Sequence, residues 1–98
     1  MEAVAVTEVP KDAQLIDVRS PEEFAELHAI GSVNIPMEQM MTRYGELDLD
    51  QDIYLICRSG GRSAQVGSWL ERNGIDAINV RGGMIDWEFH NLPREAGA

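Results

Sequence analysis

The sequence predicts an α/β fold in which helices cover both faces of a small, mainly parallel sheet. Two observations lead to this prediction. Short, β-branched apolar runs alternate along the chain with segments of helical periodicity, which is typical of successive βα units. The run at 53–56 is apolar throughout, as expected of a central parallel strand that is buried on both faces.

The predicted strands are all short. Residues 15–18, 33–35, 53–56 and 77–80 have the composition of strands, and residues 4–6 are a weaker candidate. Ligands of such folds lie beyond the carboxyl ends of the parallel strands. The residues that follow the central strand are therefore the first place to look for a site.

The first helix has the clearest start signal in the chain. Ser20 stands at the N-cap, Pro21 at the first helical position, and Glu23 where a capping box closes. Phe24 and Leu27 supply the apolar side, so this helix is predicted to end near Leu27 or the residue after it.

Three further helices are predicted over residues 37–44, 63–73 and 84–90, with Gly45 and Gly74 as C-caps of the first two. Their apolar positions are, in chain order, Met37, Met40, Met41, Tyr44, Val66, Trp69, Leu70, Ile85, Trp87 and Phe89. The methionines are interpreted as core packing, with a soft rim of a ligand pocket as the alternative. The tail that follows Pro93, Arg94 to Ala98, is expected to fray.

Length and composition indicate one domain, 1–98, because 98 residues leave no room for two cores and 44% of them are hydrophobic. No apolar run approaches the ~20 residues that cross a bilayer. The first residues also lack the basic and apolar regions of a secretory signal. We therefore expect no association with a membrane.

The formal net charge of −9 indicates an acidic surface, which repels phosphate backbones and argues against a nucleic-acid partner. Such a surplus of acidic residues is otherwise typical of a well-solvated surface. Any site for an anion must be local. It would have to consist of a few arginines and backbone N–H groups.

Cys57 is the single cysteine of the chain. An intramolecular disulfide and dithiol chemistry are therefore excluded. A lone thiol fits a reducing compartment, and a cytoplasmic location is expected. Since a lone cysteine is most often an inert, buried residue, its neighbours must decide whether it reacts.

The neighbours of Cys57 form a loop between the central strand and the third predicted helix. The loop sequence is Cys57, Arg58, Ser59, Gly60, Gly61, Arg62 and Ser63. Its small residues let the backbone curl with the N–H groups turned inward, and a side chain at either glycine is expected to block that curl. The helix N-terminus and the two arginines predict a lowered pKa for the thiol. The alternative is a glycine-rich turn with a buried cysteine and two solvated arginines.

Four segments, in this order, resemble the rhodanese homology domain over nearly the whole chain. They are residues 15–24, residues 28–36, the loop 57–63, and a C-terminal segment that contains Gly82, Gly83, Trp87, Leu92 and Pro93. The second segment, His28-Ala29-Ile30-Gly31-Ser32-Val33-Asn34-Ile35-Pro36, is similar to the family's His-Ile-x-Gly-Ala-x-Asn-Ile-Pro stretch. The loop resembles the active-site loop of single-domain sulfurtransferases.

The resemblance implies an enzyme that moves sulfane sulfur from a donor such as thiosulfate to a thiol or cyanide through a persulfide on Cys57. The substrate-binding residues it implies are Arg58, Ser59, Gly60, Gly61, Arg62 and Ser63. Two of these have alternative roles. Arg62 could instead be structural, paired with a carboxylate behind the loop, and Ser63 is also the expected N-cap of the third helix.

Asp17 and Arg19 match the family's first strand and are interpreted as a scaffold ion pair beside the site, with a pocket role second. His28 and His90 are expected to be structural. Without a cluster of histidines and cysteines no metal site is predicted, and no cofactor is implied.

Three other interpretations stay open. The chain could be a non-catalytic binding module, although an intact Cys57 argues against that. It could deliver sulfur to a protein acceptor. It could also be a phosphatase or arsenate reductase, since such enzymes resemble rhodaneses in fold. In those enzymes the interval between the catalytic cysteine and arginine is one residue longer than the four residues between Cys57 and Arg62 here.

Overall fold

The structure, a computed structural model, describes residues 1–97. Its strands are β1 Glu2–Ala5, β2 Gln14–Asp17, β3 His28–Ala29, β4 Val33–Asn34, β5 Ile53–Ile56, β6 Ile78–Arg81 and β7 Arg94–Glu95. Its α-helices are α1 Pro21–Glu26, α2 Met40–Arg43, α3 Gly61–Arg72 and α4 Gly83–Phe89. Short 3₁₀ turns occupy Val6–Glu8, Met37–Gln39 and Tyr44–Glu46.

Five strands form a parallel sheet in the order β1-β6-β5-β2-β4. The apolar run at 53–56 is its central strand, β5, and all four of its residues are buried. In register, Asp17 of β2 lies beside Ile56 of β5, so both strands end at the same edge of the sheet. The predicted fold class is confirmed.

Helices cover both faces of the sheet, because successive residues of β5 point to opposite sides. Ile53 and Leu55 pack in one core cluster with residues of α2 and α3. Tyr54 and Ile56 pack in a second cluster with residues of α4. The two clusters bury apolar surface on both sides of one sheet.

The segment predicted as a helix over residues 37–44 is less regular than expected. Its only α-helical part is α2, which has four residues and lies between two 3₁₀ turns. The N–H of Met37 donates to the carbonyl of Val18 at 2.9 Å, so the chain is still bound to the sheet where a helix was expected to begin. Met40 is buried, Met41 is exposed, and Gly45 lies inside the second turn rather than capping a helix.

Residues 94–97 are bound to the rest of the molecule, contrary to the expectation that Arg94 to Ala98 would fray. β7 pairs with β3 in an antiparallel two-stranded sheet. Trp87 Nε1 donates to the carbonyl of Pro93 at 2.9 Å, and the N–H of Gly97 donates to the carbonyl of Ala25 at 2.8 Å. The final residue, Ala98, lies outside the described residues.

His28 supports this corner of the molecule. Its Nδ1 lies 2.8 Å from the carbonyl oxygen of Phe24, and its Nε2 lies 3.3 Å from Glu95 of β7.

In α4, Met84 and Trp87 are buried, whereas Ile85 and Phe89, predicted as apolar contacts, are exposed. No helix within residues 1–97 is long and apolar enough to cross a membrane.

Candidate active site

Cys57 directly follows β5 and lies at the carboxyl edge of the sheet. The residue exposes only 1% of its surface and packs against the cluster that contains α2 and α3. Apolar surroundings alone would make the thiol inert. Its reactivity therefore depends on the groups that face the sulfur from the loop side.

The loop turns back towards the sulfur at Gly60, whose φ is +113°. This conformation strongly favours glycine, because at a positive φ a Cβ would crowd the residue's own backbone, although it would meet neighbouring residues only at ordinary contact distances. The turn lets α3 begin at Gly61, with Gly60 as its N-cap. The prediction that Ser63 caps this helix is therefore wrong.

Gly61 does not have the role predicted for both glycines. It is the first residue of α3, and a Cβ added there would meet nothing within 4 Å. A side chain at this position would leave the curl of the loop intact. Of Gly60 and Gly61, only Gly60 has a backbone conformation that requires glycine.

Polar groups of the loop and of the first turn of α3 face the sulfur. The N–H of Gly60 donates to Cys57 Sγ at 3.0 Å, and Ser63 Oγ lies 3.3 Å from the same atom. Burial has the largest single influence on the pKa of the Cys57 thiol and raises it, but hydrogen bonds from the Ser63 side chain and from the N–H groups of Ser63, Gly60 and Ser59 outweigh burial. The net pKa of the Cys57 thiol is lowered, so a larger fraction of it is thiolate than for an ordinary cysteine at the same pH.

Helix α4 holds the loop in this orientation. The N–H of Met84 donates to the carbonyl of Cys57 at 2.8 Å, and the N–H of Ile85 donates to the carbonyl of Arg58 at 3.1 Å. These carbonyls therefore point towards α4 and away from the sulfur. Gly83, with φ +53°, permits the close approach, because a Cβ there would collide with the carbonyl groups of Cys57 and Arg58.

The two arginines of the loop have different surroundings. Arg62 donates to both carboxylate oxygens of Glu23 on α1, at 2.7 and 2.9 Å. Hydrogen bonding to Arg62 lowers the pKa of Glu23 to about 2, and the same pair raises the pKa of Arg62. Arg58 is exposed, and within residues 1–97 no side chain or carbonyl accepts a hydrogen bond from its guanidinium.

Asp17 and Arg19 form a buried ion pair at the end of β2. Arg19 Nη2 donates to Asp17 Oδ2 at 2.7 Å and to the carbonyl of Leu27 at 2.7 Å. Asn34 of β4 donates to the carbonyls of both residues. The pair thus links β2, β4 and the end of α1, which is what a scaffold role requires.

Asn79 is a residue of the site that was not predicted from the sequence. It lies on β6, is buried, accepts from Ser63 Oγ at 2.5 Å and donates through Nδ2 to the carbonyl of Gly60 at 3.3 Å. The available signal was a polar residue inside a run of β-branched strand residues. A buried amide in a parallel strand requires partners, and the adjacent loop provides them.

The structure brings Cys57, Gly60 and Ser63 together around the sulfur, while Arg58 and Ser59 lie exposed on the outer side of the loop. A cleft of about 320 Å³ lies beside Arg58, and Glu26 and Glu88 also line it. A second, mostly apolar cavity of about 380 Å³ is lined by other parts of the chain and by no residue of the loop 57–63. Of the two, only the cleft adjoins the loop that carries Cys57.

A family model described as the rhodanese-like domain matches residues 5–90. The chain belongs to the rhodanese-like family. The crystal structure of a rhodanese-like domain protein from Staphylococcus aureus matches this fold with a TM-score of 0.87 at 34% identity, and the match covers 100% of both chains.

Curated relatives of this rhodanese-like chain include the uncharacterized protein YqhL of Bacillus subtilis, which is 41% identical over 78 residues. That match covers 79% of this chain and 62% of YqhL. A protein of Allochromatium vinosum named sulfurtransferase is 37% identical over 84 residues, with 85% of this chain and 78% of that protein covered. The putative sulfur carrier protein YrkF of B. subtilis is 39% identical over 74 residues, which are 74% of this chain and 40% of that protein.

Replacing Gly83 by alanine tests the contact between α4 and the loop. We expect Gly83→Ala to lower the free energy of unfolding by roughly 3 kcal/mol or more, because strain at positive φ adds to a clash with backbone that cannot move aside. Gly74→Ala is the matched control. Gly74 has φ +79° and open space around its Cβ, so only the ~1 kcal/mol of backbone strain should appear. Equal losses in urea unfolding would contradict the clash.

Replacing Glu23 by glutamine tests the ion pair behind the loop. Because the folded pKa is about 2 against the ordinary 4.5, the pair stabilises the fold fully above pH 4.5 and loses that effect as the pH falls towards 2. Glu23→Gln should therefore melt below the parent protein at pH 7, and the gap should narrow with acid. Glu26→Gln, which removes a charge on the same helix that is not part of the pair with Arg62, is the matched control. A gap for Glu23→Gln that stayed constant down to pH 3 would rule out the charge as its origin.

Proposed function

We propose that this rhodanese-like protein is a sulfurtransferase that moves sulfane sulfur through a persulfide on Cys57. The observation that carries the proposal is the pair of polar contacts on a buried sulfur, from the N–H of Gly60 and from Ser63 Oγ. Such donors stabilise a charge on sulfur without a cofactor. Relatives named sulfurtransferases support this chemistry.

In the first step, the Cys57 thiolate attacks the outer sulfur of thiosulfate. A new S–S bond forms on Cys57, the S–S bond of thiosulfate breaks, and sulfite leaves with the bonding electron pair. In the second step, a thiolate or cyanide attacks the outer sulfur of the persulfide. The Cys57 thiolate then departs as the leaving group, so no external oxidant or reductant is consumed.

The surroundings of Arg62 favour sulfur transfer over phosphate or arsenate chemistry. An arginine that binds a tetrahedral oxyanion turns its guanidinium towards the reactive sulfur. Here Arg62 already donates two hydrogen bonds to Glu23, and we infer a structural role for it. The short loop leaves the backbone N–H groups as the donors nearest to the sulfur.

Arg58 is the residue that we propose for binding the sulfonate end of a donor. Its exposed guanidinium stands beside the cleft next to the loop. It is a local cation on a chain with a net charge of −9. Glu26 and Glu88 line the same cleft and oppose an anion there, so the proposal depends on a direct contact between the donor's sulfonate and the Arg58 guanidinium.

The acceptor that we propose is a small thiol, cyanide in the test tube, or a thiol of a partner protein. The relative named putative sulfur carrier protein supports the last of these. Since a lone thiol persists in a reducing compartment, we also propose a cytoplasmic location.

Mass spectrometry of the intact protein tests the persulfide directly. After incubation with thiosulfate and removal of the excess, the parent protein should gain the mass of one sulfur atom, and cyanide should remove it. Cys57→Ser should gain nothing and should have no thiosulfate–cyanide activity. Since the chain has no other cysteine, the added sulfur can have only this site. A parent protein whose mass is unchanged by any sulfane donor would end the proposal.

Replacing Arg58 by glutamine tests the donor site. We expect the KM for thiosulfate to rise about tenfold with little change in kcat, as for loss of a charged hydrogen bond worth ~1.4 kcal/mol in ground state and transition state alike. Arg72→Gln, at the far end of α3 from the loop, makes the same change of charge and should leave the KM unchanged. Equal increases for both variants would show that net charge, and not a contact at Arg58, affects binding.

A further inference from the structure

We propose that Asn79 is a positioning residue that competes with Cys57 for the single proton of the Ser63 hydroxyl. Through that competition it limits how strongly Ser63 can donate to a charged sulfur. The inference deepens the proposed function and rests on it only in requiring that Cys57 react as a thiolate.

The geometry around Ser63 Oγ creates the competition. This atom lies 2.5 Å from Asn79 Oδ1, 3.1 Å from the carbonyl oxygen of Gly60 and 3.3 Å from Cys57 Sγ. A hydroxyl has one proton to donate. Asn79 Oδ1 is the nearest of the three acceptors and is therefore the one to which the Ser63 hydroxyl donates.

The orientation of the Asn79 amide is fixed by the hydrogen bond that its nitrogen donates. Nδ2 donates to the carbonyl of Gly60 at 3.3 Å. If the amide turned over, Oδ1 would face that carbonyl and two acceptors would oppose each other. Oδ1 is therefore held towards Ser63 as an acceptor.

Burial keeps water from supplying a replacement hydrogen bond, so the competition for the Ser63 proton persists. Ser63 exposes 0% of its surface, Cys57 1% and Asn79 9%, so bulk water cannot readily replace a lost partner. Among the described residues, no buried side-chain nitrogen or oxygen is left without a hydrogen bond. When one hydrogen bond between Cys57, Ser63 and Asn79 changes, another must change to compensate for it.

The neutral and the ionised thiol require different hydrogen bonds between Cys57, Ser63 and Asn79. In the neutral state, Cys57 S–H can donate to Ser63 Oγ while Ser63 donates to Asn79. In the thiolate state, Ser63 must turn its proton towards sulfur, and Asn79 Oδ1 then loses its donor. Asn79 therefore favours the neutral state relative to a site in which the Ser63 hydroxyl is free to turn.

Charged groups that surround the loop act on the same sulfur but do not depend on Asn79. They are Arg58 and Arg62 in the loop and α3, Glu23 on α1, and the Asp17–Arg19 pair at the end of β2. Helix α4 contributes the N–H groups of Met84 and Ile85 to the loop carbonyls, and Asp86 of that helix is exposed. None of these groups is changed in the variants below.

The test measures the rate of alkylation of Cys57 by iodoacetamide as a function of pH, which reports the pKa of the thiol. At pH values below that pKa, Ser63→Ala should slow alkylation, because a donor to the thiolate is lost. Asn79→Ala should accelerate it, by about threefold for a fall of ~0.5 in the pKa. Asn79→Leu, which is close to the size of asparagine, should act in the same direction. Asn73→Ala, at the far end of α3, should change nothing.

The double variant decides between positioning and structure. If Asn79 acts through the Ser63 proton, Asn79→Ala should have no effect on the pH profile in the Ser63→Ala background. An equal effect in both backgrounds, or slower alkylation in Asn79→Ala and Asn79→Leu, would overturn the inference. Thermal melting of each variant verifies that it is folded. Because alkylation needs no sulfur donor, its result is separate from the persulfide measurement that tests the proposed function.

Discussion

The site depends on two hydrogen bonds that run from the backbone of α4 to the loop after β5. The N–H groups of Met84 and Ile85 bind the carbonyls of Cys57 and Arg58, so the peptide groups of the loop present their N–H sides to the sulfur. Gly83 and Gly60 provide the two positive-φ turns that this arrangement needs. A sulfur that is almost wholly buried can then be ionised, because donors built into the backbone replace the water that burial removes.

Local donors also explain how an acidic chain can favour a negative charge at one point. At a formal net charge of −9, the distant field opposes an anion, but solvent and salt weaken that field over about 10 Å. The N–H of Gly60 and the hydroxyl of Ser63 act within 3.0 and 3.3 Å of the sulfur. At such distances in a buried site, a few dipoles outweigh many surface carboxylates.

Features fixed by neighbouring residues could be predicted from the sequence, whereas those fixed by distant contacts could not. The Ser20–Glu23 capping box and the apolar strand β5 were both confirmed, since each needs only local chemistry or a buried environment. The start of α3 at Gly61 depends on the turn at Gly60, which is braced by Asn79 from a strand that follows the helix. The ordered tail depends likewise on pairing with β3, far away in sequence.

The solitary cysteine sets a limit on what the protein can do with a sulfur atom. No second thiol on the chain can attack a persulfide at Cys57 to release hydrosulfide and close a disulfide. In the proposed sulfur transfer, an atom bound to Cys57 therefore stays there until an outside nucleophile removes it. In that scheme each molecule holds one sulfur atom at a time, and the rate of its release depends on the concentration and nucleophilicity of the acceptor.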